Sequence, residues 1–189
     1  MKRKLTVLLC VTLAGCAAMG KIESGEQVVS DQLVVSLDGP WNQFNRGVDV
    51  PTWTVEGLAV DQLRFFIGIK DGDPIAKRPK GASEQRPLTF HSTMKAHEVV
   101  ALFQGLYTQD GSTFTLDGIE PVTFIGESGF KYTYTVLRRS DDVRLSGVGY
   151  GAVHNGELTV IDYSAPRLGF FPRYKDQIER MSLGAHLRS

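Results

Sequence analysis

The sequence predicts an α+β protein, in which helices flank an antiparallel β-sheet. Between residues 130 and 163, apolar and polar side chains alternate with a period of two, which is typical of half-buried antiparallel strands. Two other segments carry apolar residues at helical spacing on one side only. A sheet with one polar face must bury its apolar face, and these two helices are the available cover.

The first half of the domain is predicted to hold two strands. One lies at residues 33–37 and the other at about 58–69, with a segment rich in turn residues between them. Residues 71–89 contain three prolines and two glycines, and they predict a long exposed loop.

A helix is predicted at about residues 93–107. Val99, Leu102, Phe103 and Leu106 form its apolar stripe, with spacings of three and four residues. Ser92 or Thr93 is expected to cap its first turn.

A meander of three or four strands follows, and a second helix closes the domain. Asn155-Gly156 predicts a tight hairpin between strands at 143–153 and 158–163. Glycines at 147, 149 and 151 are expected to leave one strand face bare, so that Tyr132 or Tyr134 can approach it. The closing helix carries its stripe on Tyr174, Ile178 and Met181.

Length and charge limit the classes of protein. A chain of 189 residues is long enough for one domain. Lys and Arg together number 21, as do Asp and Glu, so no basic excess favours a nucleic-acid partner. Two cysteines are too few for a disulfide framework or a four-thiolate zinc site.

The first residues have the pattern of an export signal. Three positive residues at 2–4 precede a short apolar run, which is too short to span a membrane. The run ends in Leu13-Ala14-Gly15-Cys16, which resembles the lipobox of bacterial lipoproteins. The resemblance implies that Cys16 is lipidated as the mature N-terminus, and that Ala17 directs the protein to the outer membrane. An ordinary secretory signal cleaved near Ala17 or Ala18 is the alternative.

This interpretation divides the chain into four parts. Residues 1–15 are the lipoprotein signal peptide, residues 16–32 a tether, residues 33–183 a single α+β domain, and residues 184–189 a tail. Without residues 1–15, the mature chain has 18 basic and 21 acidic residues. Its cysteine sulfur would be committed to lipid, and multiple acyl chains hold a protein firmly on a bilayer.

The sequence does not match the zincin, calcium-loop or serine-hydrolase motif, so no catalytic residue, metal or cofactor is predicted. A zincin helix needs a second His four residues after the first, but His97 is followed by Ala101. The segment from Asp71 lacks the ligands of a calcium loop, and Ser128 lacks the G-x-S-x-G context of a hydrolase. Arg64 is expected on the outer, solvated face of its strand with Gln62.

Trp41, Phe44 and Trp53 form the candidate ligand site. These aromatic residues lie near turn residues and could line a groove. The alternative is that they form a lid over the core.

The element order resembles the Mog1/PsbP-like fold, an α/β/α sandwich. The matching segments are 53–57, the helix from Thr93 to Leu106, 126–130, and Ala165-Pro166 before the pair Phe170-Phe171. The resemblance covers about residues 30–183 and implies no shared catalytic residues.

Two functions are therefore expected. The first is a non-enzymatic, lipid-anchored envelope lipoprotein, facing the periplasm from the outer membrane and binding a partner protein or envelope component. The alternative is a small-ligand-binding module, or a weak enzyme, that uses an aromatic pocket near Trp41 and Trp53.

Overall fold

The computed structural model describes residues 19–44, 47–76 and 87–188. Within these residues the chain forms two helices, α1 (Ala96–Thr108) and α2 (Phe170–Leu183). The same residues form eleven strands: β1 (Met19–Ile22), β2 (Gly25–Val29), β3 (Leu33–Leu37), β4 (Trp41–Phe44), β5 (Thr52–Thr54), β6 (Gln62–Ile69), β7 (Thr113–Phe124), β8 (Glu127–Leu137), β9 (Arg144–His154), β10 (Glu157–Pro166) and β11 (His186–Leu187).

The strands form two antiparallel sheets. The large sheet has the order β1-β4-β5-β6-β10-β9-β8-β7, and the small sheet has the order β11-β3-β2. The predicted α+β class is confirmed, and so is the order of an early strand region, a helix, a meander and a closing helix.

The two helices cover opposite faces of the large sheet. Helix α1 packs on β7 and β8 and contributes Val99, Val100 and Phe103 to one core. Helix α2 contacts β10 and also β3 of the small sheet, and it contributes Ile178 and Met181 to a second core. The large sheet is therefore the middle layer of a sandwich.

The structure corrects the predicted tether and tail. The tether prediction covers residues 16–32, but β1 pairs with β4 and β2 pairs with β3. Ile22 and Val29 are buried in the core on the α2 side. The tail prediction is also wrong at β11, which pairs with β3. Each of these strands is short and buries few side chains, so its sequence pattern is weak.

The exposed loop predicted at 71–89 is wrong at both of its ends, while residues 77–86 lie outside the described residues. The Ile75 N–H donates to the Leu88 carbonyl oxygen at 2.9 Å, and the Phe90 N–H donates to the Asp73 carbonyl oxygen at 2.9 Å. Ile75 is buried in the core under α1. The two stems of this segment thus belong to the domain.

Helix α1 begins three residues later than predicted. The Glu98 carboxylate accepts the Lys95 N–H at 2.8 Å and so closes the first turn. Ser92 lies three residues before the N-cap residue Lys95 and so does not cap the helix; its N–H and its hydroxyl donate to Asp71 Oδ1 at 2.7 and 3.1 Å. No helix within the described ranges is long and apolar enough to cross a membrane.

Candidate functional site

A buried cluster of polar side chains lies between α1 and the large sheet. Arg64 on β6 is directly opposite Asp162 on β10, and Asp162 is opposite Gly149 on β9. Tyr132 on β8 completes this row across the sheet. Paired residues of antiparallel strands point to the same face, so the register alone gathers these groups under the helix.

Three tyrosine hydroxyls converge on the Asp162 carboxylate. Tyr132 donates to Oδ2 at 2.6 Å, and Tyr134 lies 2.9 Å from Oδ1. Tyr107, from the last turn of α1, also donates to Oδ1, and the Tyr134 hydroxyl lies 2.6 Å from the Tyr107 hydroxyl. Asp162 itself is fully buried. Its hydrogen-bonding capacity is thus taken largely by neutral hydroxyls.

The glycine stripe of β9 makes this convergence possible. A Cβ atom at Gly149 would overlap the Tyr132 ring, and a Cβ atom at Gly147 would overlap the Tyr134 ring. Both rings lie across bare backbone, which carries their hydroxyls toward β10. The prediction that Tyr132 or Tyr134 approaches these glycines is confirmed.

The Arg64 guanidinium is only loosely paired. Its Nη2 lies 3.6 Å from Asp162 Oδ1, which is longer than the usual 2.7–2.9 Å of a strong charge-assisted hydrogen bond. Its Nε is buried and has no hydrogen-bond partner among the described residues. Its Cζ lies 4.5 Å from the centre of the Tyr107 ring. Burial acts to lower the pKa of Arg64, but the neighbouring Tyr107 and Asp162 outweigh it and raise the pKa.

Arg64 lies where two surface cavities meet. The cavities have volumes of about 390 and 280 Å³, and both are lined by Leu58, Gln62, Arg64 and Leu106. We call this continuous depression the Arg64 groove. Its walls combine apolar side chains such as Leu58 and Leu106 with polar ones such as Gln62, and the Arg64 guanidinium lies at the middle. The arrangement can hold a hydrogen-bond acceptor or an anion at Arg64 and an apolar group on either side.

The buried tyrosines predict a loss of stability at high pH. Burial raises the pKa of Tyr132 and of Tyr134 well above the ordinary value of about 10. Below pH 10 both states keep these protons, whereas above it the unfolded chain ionises and the native chain does not. Burial also raises the pKa of Tyr107, Tyr150 and Tyr163. Stability should therefore fall by about 1.4 kcal/mol per pH unit for each of these five tyrosines above about pH 10.

Urea unfolding followed by tryptophan emission between about pH 8 and 11 measures this slope. The Tyr134→Phe variant is the control, since it removes one of the five tyrosines and should reduce the slope by about one fifth. A midpoint that stays constant up to pH 11 would contradict the prediction.

The structure brings two of the three predicted aromatic residues to one cavity. Phe44 and Trp53 line a depression of about 440 Å³ that adjoins the Arg64 groove and shares Val48, Asp49 and Val50 with one of its arms. Trp53 is nevertheless 97% buried, and its ring centre lies 4.5 Å from that of Phe65. Trp41 does not line this cavity; its ring is buried against Tyr163, with a centroid distance of 6.4 Å. Ligand binding near these residues stays a prediction.

The other sequence candidates lie apart from the groove. Cys16 and the lipobox fall outside the described residues, so lipidation stays a prediction. His97 is exposed on α1, and His91 contacts Asp71 at 3.7 Å. Among the described residues there is no group of three His, Cys, Asp or Glu side chains that could hold a metal ion.

Sequence reasoning misjudged Arg64. The prediction that Arg64 and Gln62 lie on the same face of the strand is correct. However, α1 covers that face, so only 17% of the Arg64 side chain is exposed. A signal was available in Asp162, a carboxylate within the apolar strand Leu158–Tyr163. One acid and one base within two apolar strands indicate a buried pair.

Comparison with known proteins bears on the fold. No protein-family model matches the chain, and no curated protein matches it. The solution structure of cyanobacterial PsbP (CyanoP) from Synechocystis sp. PCC 6803 aligns with a TM-score of 0.58 at 15% identity, over 96% of this chain and 99% of that one. The fold is PsbP-like.

The fold resemblance expected from the sequence is thereby confirmed. The crystal structure of LpqN, involved in cell envelope biogenesis of Mycobacterium tuberculosis, aligns with a TM-score of 0.37 at 10% identity, over 90% of this chain and 91% of that one. That likeness is too distant to support an argument. The PsbP-like fold says nothing by itself about what the Arg64 groove binds.

Proposed function

We propose that this protein is a lipid-anchored lipoprotein of the bacterial outer membrane, that it faces the periplasm, and that it binds a partner protein or envelope component without being an enzyme. The observation that carries the proposal is the N-terminal pattern: positive residues at 2–4, a short apolar run, and Leu13-Ala14-Gly15 before Cys16.

The position of strand β1 limits how far the domain can lie from a lipid on Cys16. Strand β1 begins at Met19 and forms an edge of the large sheet. Two residues lie between Cys16 and Met19, so an extended chain spans at most about 11 Å over the three residue steps that join them. A lipid on Cys16 would hold the β1 edge close to the bilayer surface, with little freedom for the domain to move away.

The chemistry of the Arg64 groove supports binding rather than catalysis. General acid–base catalysis at neutral pH needs a group whose pKa lies near 7. The pKa values of Tyr132 and Tyr134 are raised far above that range by burial, and that of Arg64 is raised by Tyr107 and Asp162 despite burial. These groups are suited to hold a ligand in one orientation.

Replacing Cys16 tests the anchor. We expect the wild type to fractionate with outer membrane and to carry the mass of diacylglycerol plus an acyl chain, because the thiol is the acyl acceptor. Cys16→Ser should lose both properties. Intact-mass spectrometry and density-gradient fractionation of natively expressed protein measure them.

Cys10→Ser is the matched control, since Cys10 lies within the predicted signal peptide and should leave lipidation unchanged. A soluble wild-type protein cleaved near Ala17 or Ala18 would overturn the anchor. Crosslinking in the intact envelope tests the partner, and the absence of any reproducible adduct would count against that part of the proposal.

The alternative function is a small-ligand-binding module, or a weak enzyme, with an aromatic pocket near Trp41 and Trp53. Phe44 and Trp53 line one depression, and the adjoining Arg64 groove, which combines apolar side chains with a partly exposed guanidinium, supports ligand binding in this region. Small-molecule sites commonly have this composition of apolar walls with a few polar groups.

A further inference from the structure

We infer that the Arg64 groove binds an aliphatic monocarboxylate, with the carboxylate on the Arg64 guanidinium and the hydrocarbon chain along the apolar walls. This inference rests on the small-ligand alternative above and does not depend on lipidation of Cys16.

The first step concerns the unused donors of Arg64. A guanidinium carries five N–H donors, and a carboxylate usually engages two of them side by side. Asp162 does not do so here: its contact with Nη2 is 3.6 Å, while Tyr132 and Tyr134 donate to it at 2.6 and 2.9 Å. The Arg64 side chain is 17% exposed, so part of it faces the groove, where a ligand carboxylate can complete the pairing that Asp162 leaves loose.

The second step concerns how Arg64 is held. Tyr107 stacks against the guanidinium from α1, and Asp162 lies opposite Arg64 in the neighbouring strand. A fixed side chain loses little conformational freedom when a ligand binds, so more of the interaction energy remains for affinity.

The third step concerns charge. Asp110 lines one arm of the groove and Asp49 the other, and Asp162 lies behind the guanidinium. Arg138 also lines the first arm, but its charge is already paired with Asp141 at 2.6 Å. A dianionic phosphate would be repelled by these carboxylates more strongly than a singly charged carboxylate. The planar carboxylate also matches the geometry of the guanidinium fork.

The fourth step concerns the walls. Leu58 and Leu106 border both cavities, Val136 and Leu145 extend one arm, and Val50 and Phe66 extend the other. Apolar walls favour the transfer of an alkyl chain out of water. The ligand that fits all four observations has one negative end and an aliphatic body.

Calorimetric titration with a matched set of eight-carbon probes tests the inference. The protein is the full chain with Cys16→Ser, and the probes are octanoate, octanol and octyl phosphate, each below its micelle-forming concentration. We expect octanoate to bind with 1:1 stoichiometry and at least about tenfold more tightly than octanol or octyl phosphate, a difference of about 1.4 kcal/mol.

Two variants locate the binding. Leu58→Trp should fill the groove and weaken octanoate binding at least about tenfold while leaving Arg64 and Asp162 intact. Leu168→Trp is its matched control, because Leu168 is 86% exposed away from the groove, and it should bind like the parent. The Arg64 guanidinium resonances in ¹⁵N NMR should shift on titration with octanoate, which reports binding at Arg64 without a substitution that disturbs folding.

The outcomes distinguish whether the Arg64 groove binds small ligands at all from whether it prefers a carboxylate. If octanol or octyl phosphate binds as tightly as octanoate and Leu58→Trp abolishes the binding, the groove is a ligand site but the carboxylate inference is wrong. If octanoate binding is unchanged in Leu58→Trp, or if no probe binds, both the inference and the small-ligand alternative fail for this groove. Neither result bears on the anchor at Cys16, which fractionation tests separately.

Discussion

Replacing Asp162 by alanine should destabilise the protein by about 3–5 kcal/mol, because it leaves the buried Tyr132 and Tyr134 hydroxyls without their acceptor and the partly buried Arg64 without its nearest counter-charge. The carboxylate is fully buried, lies 3.6 Å from the Arg64 Nη2, and accepts hydroxyl hydrogen bonds. The variant loses all of these contacts together, and Tyr132 and Tyr134 lose an acceptor in an interior closed to water. For a chain of this length the expected fall in Tm is about 6–20 °C.

Urea and thermal unfolding followed by tryptophan emission measure the effect, since Trp41 and Trp53 are buried in the native state. Asp162→Asn separates charge from shape: the amide keeps one oxygen acceptor, so its loss should lie between the parent and the alanine variant.

Asp141→Ala is the matched control. Asp141 also pairs with an arginine, with Arg138 Nη2 at 2.6 Å, but this pair lies at the surface. Exposed ion pairs contribute about 0–1 kcal/mol, so this variant should unfold close to the parent. Equal stability losses for the two alanine variants would contradict the view that burial makes the Asp162 cluster costly to break.

The parts of the fold that were predicted well are those that local periodicity determines. Strand β8 alternates buried and half-exposed residues along most of its length, and α1 buries Val99 and Phe103 four residues apart. The hairpin at Asn155-Gly156 was predictable because both residues adopt positive φ, 50° and 82°, as a type I′ turn requires.

The strands that were missed lie at sheet edges or are short. Strand β7 was not predicted, although it has twelve residues, because most of its side chains are exposed and no strict alternation marks it. Strands β1 and β2 each bury one side chain. A strand that is held mainly by backbone pairing leaves little trace in the hydrophobic pattern.

The site was missed for a different reason, which is that its assembly is non-local. Alternation along β6 places Gln62 and Arg64 on one face correctly, but it does not tell which face α1 will cover. Tyr107 and Asp162 are 55 residues apart in sequence, and Tyr132 and Asp162 are 30 apart. Only the strand order β6-β10-β9-β8 brings Arg64, Asp162 and Tyr132 into one row.

Adding a single methyl group at Gly149 should test whether the glycine stripe positions this cluster. In Gly149→Ala the new Cβ would overlap the Tyr132 ring. That ring cannot move away freely, because its hydroxyl donates to Asp162 at 2.6 Å and Phe103 of α1 lies 5.8 Å from it between ring centres. Overpacking of a closed core costs about 1–3 kcal/mol, and the two restraints on Tyr132 place this variant at the upper end, near 3 kcal/mol.

Gly118→Ala provides the comparison within the same sheet. Its Cβ would meet the Thr133 Oγ1 at 3.5 Å, an ordinary contact, so the change should be neutral or stabilise the protein by up to about 1 kcal/mol. Gly149→Ala and Gly118→Ala are measured by urea unfolding.

The double variant Gly149→Ala/Tyr132→Leu removes the ring that the methyl group overlaps, and it is compared with the single variants Gly149→Ala and Tyr132→Leu. Because positions 149 and 132 touch, the double variant should be more stable than the sum of these two single losses predicts, by about 0.5–3 kcal/mol. Simple additivity would show instead that Gly149 acts through the backbone of β9 and does not position Tyr132 over Asp162.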